Sequence, residues 1–95
     1  MIKSPKTILR LLRSKNVNVK IHELEKGFHG FVYTENGIIH ISNKQPIKQR
    51  VSTLIHECLH ILNPKQPEPM VAYYEKEVLA KLSKKEYNLL KMYVA

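Results

Sequence analysis

Apolar and polar positions follow two different periods along this chain, and the changes of period mark its elements. Ile8, Leu9, Leu11 and Leu12 recur at helical spacing behind Ser4-Pro5. Serine there reads as an N-cap and proline as a first helical residue, so a helix is predicted from Pro5 to about Lys15. Residues 17–24 alternate instead, as a half-buried strand does. Gly27 and Gly30 bracket a turn region, Phe31-Val32-Tyr33 reads as a second strand, and Asn36-Gly37 is a hairpin signal leading into a third, Ile38–Ile41. The period then returns to that of a helix. Val51, Leu54, Ile55, Cys58, Leu59 and Leu62 form one apolar stripe, with Pro46 in the first turn and an end forced before Pro64. Pro64, Pro67 and Pro69 make a stiff loop, a further helix runs from about Pro69 to Leu82, and Ser83-x-x-Glu86 is a capping box that opens a last helix through Tyr93. The predicted order is α-β-β-β-α-α-α, an α+β fold in a single domain spanning residues 1–95.

One segment of this pattern carries chemistry. His56-Glu57-Cys58-Leu59-His60 is an H-E-x-x-H motif within the predicted helix. Histidines at i and i+4 lie one turn apart on one face, here roughly opposite the apolar stripe, so both imidazoles can reach a single zinc ion. Glu57 points off that face but stays near enough to hold a water and take its proton.

Composition narrows what the motif can mean. With 95 residues the chain has room for one core, and 43% hydrophobic residues suit a folded globule. No apolar run approaches a membrane span, and the first 20 residues lack the centre of a signal peptide, so no membrane association and a cytoplasmic location are expected. The single cysteine, Cys58, falls on the apolar stripe and reads as a packed thiol. The net charge is +8, and Lys3, Lys6, Arg10, Arg13, Lys15 and Lys20 precede the first acid. These cations lack interleaved aromatics and read as a solvated helix face, so nucleic acid is not the expected partner. The sequence has no aspartate, which leaves glutamate as the only carboxylate available to a metal.

A catalytic zinc takes three protein ligands and keeps one position open. An H-E-x-x-H-x-x-G-x-x-H extension is excluded, because Asn63 and Gln66 stand where glycine and histidine would be needed. His22, His29 and His40 lie upstream on strands or turns. A glutamate from the helix after the motif remains, with Glu68, Glu75 and Glu77 as candidates. Glu75 is the expected ligand: it sits between Val71 and Val78 on the inward stripe, where a carboxylate needs a metal or a charge partner. Glu68, at the helix start, is the alternative, and it can instead serve the helix dipole. Among Tyr73, Tyr74, Tyr87 and Tyr93 a phenol could stabilise an oxyanion, although packing residues are the expected reading.

With the Ile38–Ile41 strand, the Thr53–His60 segment, the proline-bounded loop and a short helix carrying inward Glu75, the chain resembles the minigluzincins, very small gluzincin metallopeptidases. The resemblance extends loosely from Ser4 to Val94. It implies a three-stranded sheet packed on an active-site helix and a glutamate helix, and latency imposed by C-terminal segments. Two departures are Cys58 inside the motif and the lack of an aspartate after the glutamate ligand, which leaves open what orients the metal-bound histidines. The expected function is a zinc-dependent metalloendopeptidase, with zinc on His56, His60 and Glu75 and with Glu57 as general base. Its partners would be a peptide or protein substrate, which could add as a strand beside the third strand. Tyr87, Leu89, Leu90, Met92, Tyr93 and Val94 would either complete the core or cover the cleft, in the same chain or in a homodimer. A different class, a small basic zinc-containing interaction or nucleic-acid-binding module without catalysis, would close the zinc with a fourth ligand such as His22, His29 or His40.

Overall fold

A computed structural model describes residues 4–95; Lys3, first of the basic N-terminal run, lies outside them. The elements follow the predicted order: α1 (Pro5–Arg13), β1 (Asn18–His22), β2 (Gly30–Tyr33), β3 (Ile38–Ser42), α2 (Ile47–Leu62), α3 (Glu68–Lys81) and α4 (Lys84–Val94). The fold is α+β. Ser4 caps α1 by accepting from the Thr7 N–H, Pro5 occupies its first turn, and Ile8, Leu9 and Leu12 turn inward. Pro46 stands just outside α2 as its N-cap residue rather than within its first turn. Its carbonyl takes the Gln49 and Arg50 N–H groups.

The sheet order is β1-β3-β2, with β2 antiparallel and β1 parallel to β3. Asn36-Gly37 does close the β2–β3 hairpin, and Gly37 has φ +68, a conformation in which a side chain is strained. Its position is constrained a second time: the Gly37 carbonyl accepts from Asn18 N–H, and a Cβ there would stand 2.0 Å from the Asn16 carbonyl oxygen. The hairpin turn is thus the seat of β1, which brings β1 alongside β3 from Asn18–Ile38 to His22–Ser42. Because β3 is central it has no free edge, which corrects the expectation of a peptide adding beside it. The outer strands are β1 and β2.

Ile39 and Ile41 on one face of β3 meet Val51, Leu54, Ile55, Cys58 and Leu59 of α2, all fully buried. Burial pushes the Cys58 thiol far above its usual range, as expected of a packed thiol. The glutamate helix α3 packs mainly on α2, through Val71 and Val78, rather than on the sheet. α4 takes another flank of α2 and reaches β1 and α1. Its capping box is present, with Ser83 Oγ accepting from Glu86 N–H at 3.0 Å and Glu86 accepting from Ser83 N–H at 2.9 Å. Leu90 and Val94 are fully buried, and Arg50 ties the last turn down by donating to the Val94, Gln45 and Asn43 carbonyls. The apolar C-terminal segment therefore completes the core, and the expected occlusion of a cleft within its own chain is not seen. Among the described residues no helix is long and apolar enough to cross a membrane.

Candidate metal centre and cleft

The α2 stripe that faces the core leaves His56 and His60 on its other side, with ring centroids 4.9 Å apart and planes at 70°. The proline loop then turns the chain back. Pro67 caps α3 and Pro69 sits in its first turn, so Glu68 is the first helical residue and arrives beside the end of α2. Its carboxylate lies between the two imidazoles, 2.7 Å from His60 Nε2 and 3.1 Å from His56 Nε2. Ligand atoms from His56, His60 and Glu68 all fall within 4.8 Å of one another.

Glu75 is elsewhere. It lies seven residues on, about 10.5 Å or two turns along the same face of α3. Since α3 runs antiparallel to α2, its carboxylate meets the earlier turns, accepting from His56 Nδ1 at 2.7 Å and from Ser52 Oγ at 2.6 Å. Of the two candidates for third ligand, Glu68, the alternative, is the one that joins the histidines in this geometry, while the expected Glu75 meets His56 Nδ1 and Ser52 instead. The inward setting read for Glu75 is real, but its compensating partners are an imidazole and a hydroxyl. Burial pushes the Glu75 carboxyl up, and hydrogen bonds from His56 and Ser52 outweigh it and hold the group below its ordinary value. The same bond raises the His56 pKa, against burial. With its Nδ1 proton directed at Glu75, a neutral His56 would turn its Nε2 lone pair to an ion held beside Glu68, so Glu75 favours the tautomer a metal would need. Under a bound metal, that contact would fill the orienting role the absent aspartate leaves open.

Two imidazoles and one carboxylate form a donor set zinc commonly takes in catalytic sites. No fourth protein ligand completes it among the described residues. His22 and His40 sit together on the outer face of the sheet, away from α2, and His29 is not in the group. Both candidate imidazoles keep about a fifth of their surface exposed and Glu68 keeps 68%, so the centre opens to solvent.

Next to it lies a cavity of about 320 Å³, lined among others by Phe28, Gly30, Ser52, Thr53, His56 and Glu57. Glu57 is 7% exposed on its wall, and burial raises its pKa to about 7, with nearby His56 opposing and Glu68 and Glu75 reinforcing. Tyr73 is exposed and Tyr74, Tyr87 and Tyr93 pack against the core; none lines the cavity. Three residues in or behind the cleft escape sequence reasoning. Ser52 stands one turn before His56, a spacing that carried a usable signal. Gln45, 7% exposed, accepts from Thr53 and donates to the His29 carbonyl at 3.0 Å, pinning the loop before β2 to α2. Gly30 allows β2 to approach α2, since a Cβ there would lie 2.6 Å from Thr53 Cγ2 and 2.8 Å from the His40 carbonyl oxygen. The contacts of Gln45 and Gly30 are tertiary and leave no local pattern.

Comparison with protein-family models, curated proteins and solved structures finds no match for this chain. The reading of the site therefore rests on its own geometry.

Proposed function

We propose that this chain is a zinc-dependent metalloendopeptidase of the gluzincin type, with zinc held by His56, His60 and Glu68. The observation that carries the reading is the three-ligand group itself, beside a buried glutamate on the wall of a cavity. When bound, zinc supplies a Lewis acid that polarises a peptide carbonyl and acidifies water to a pKa near about 7. Glu57 is the general base: it takes the proton of the attacking water and delivers it to the departing amine. Glu75, itself held by Ser52, keeps the His56 ring in place and its Nδ1 protonated. Substrate binds extended along the edge of β2 not paired with β3, which borders the cavity at Gly30 and offers its backbone groups to an added strand.

The test is metal content together with hydrolysis of a fluorogenic peptide library. Wild type is expected to hold about one zinc per chain at this centre, lost in His56→Ala/His60→Ala. Glu57→Gln should keep both zinc and circular dichroism while hydrolysis disappears. Zinc retained at that centre by the double variant would remove the site, and undiminished cleavage by Glu57→Gln would remove the mechanism.

A further inference from the structure

On the outer face of the sheet, opposite α2, a second pair of histidines meets. His22 of β1 and His40 of β3 are offset diagonally in the parallel register, where Lys20 faces His40 and Ser42 faces His22. His22 Nε2 and His40 Nδ1 are 2.8 Å apart, with the rings edge to face at 73°. Phe31 of β2 stacks on His40 at 4.5 Å and 18°, which fixes the plane of that ring with its nitrogen edge turned to His22. Each strand thus supplies one ring, and two imidazole nitrogens converge without a carboxylate between them. We propose that His22 and His40 form a second, separate binding site for a first-row divalent metal, strongest for Cu²⁺ and Ni²⁺, bound through His22 Nε2 and His40 Nδ1 with water in the remaining positions.

The geometry suits a metal as well as a hydrogen bond, since the two ring nitrogens already face each other at 2.8 Å on rings fixed by their strands and by Phe31. The proton exchange balances. The proton shared between the facing nitrogens moves to the outer nitrogen of its own ring, and both rings stay neutral before and after binding. Imidazole pairs favour Cu²⁺ and Ni²⁺ by the usual order of divalent affinities. Lys20 is the opposing group, a cation beside the pair, and no carboxylate completes a triad there among the described residues. Since β1 pairs only with β3, a bound ion would also link an outer strand to the centre of the sheet.

The inference is independent of the peptidase reading and is tested so that the two fail separately. Cu²⁺ and Ni²⁺ are titrated calorimetrically into the intact chain and into the His56→Ala/His60→Ala variant. One equivalent should remain in that variant and vanish when His22→Asn or His40→Gln is added. In the otherwise wild-type chain, His40→Gln should reduce two equivalents to one. Lys20→Glu should tighten the remaining site about tenfold by replacing a repelling charge with a carboxylate. Micromolar Cu²⁺ should raise the unfolding midpoint of the His56→Ala/His60→Ala variant, but not once His22→Asn is added. If the outer-face variants leave stoichiometry, affinity and midpoint unchanged, or binding appears only at millimolar metal, the site does not exist.

Discussion

The sharpest consequence of the centre is an inversion of roles between the two glutamates of α3. Glu68 meets both Nε2 atoms, so Glu68→Gln would remove a charged ligand from the proposed three-ligand set. Glu75 instead accepts one bond from His56 at 2.7 Å and one from Ser52 at 2.6 Å, and Glu75→Gln weakens an orienting contact while leaving the donor set whole. Loss of such a contact typically costs about 10–100-fold in metal affinity, or about 1.4–2.7 kcal/mol. Ser52→Ala, which removes one of the two bonds holding Glu75, should cost less again. Zinc affinities measured by competition with a chromophoric chelator should therefore rank wild type, Ser52→Ala, Glu75→Gln and Glu68→Gln in decreasing order. A larger loss for Glu75→Gln than for Glu68→Gln would place the third ligand at Glu75 and refute the arrangement. Equal, unchanged affinities would dispose of the centre altogether.

Three further outcomes can be read from stability. Gly30→Ala should destabilise the fold by about 1–3 kcal/mol in urea unfolding, because the new Cβ meets Thr53 and a backbone carbonyl, and Thr53→Ala should relieve only part of that cost. Leu90→Ala should cost about 2–5 kcal/mol with no gain in peptide hydrolysis, since α4 is core and not a cover, and a folded, more active variant would restore the latency reading. Hydrogen bonding from the Ser83 N–H holds the Glu86 carboxyl below its ordinary value, so its contribution is present above that ordinary value and lost as pH falls through the lowered native one. Unfolding midpoints of wild type and Glu86→Ala should accordingly differ most near neutrality and converge in acid, and a constant gap would refute the capping role.

Periodicity and punctuation were enough for the elements, because helix starts, turns and stripes are set within a few residues. Ser4-Pro5, Asn36-Gly37 and Ser83-x-x-Glu86 each act where they stand, and the i,i+4 histidines needed only a helix to share a face. Which glutamate lies beside the histidine pair was of another kind. Glu68 and Glu75 lie seven residues apart and therefore on the same side of α3, so the helical period cannot separate them; the antiparallel course of α3 along α2 does, setting Glu68 against His60 and Glu75 against Ser52. The inward position of Glu75 was legible and its partner was not, because burial reports only that a carboxylate needs compensation. Likewise no local signal makes β3 central. That follows from a parallel pairing between strands joined through a hairpin, seated by the contact of Gly37 with Asn16 and Asn18, and it moved the free edge beside the cleft to β2. The sequence by itself determined which groups were available, and the packing of one helix and one hairpin decided which of them meet.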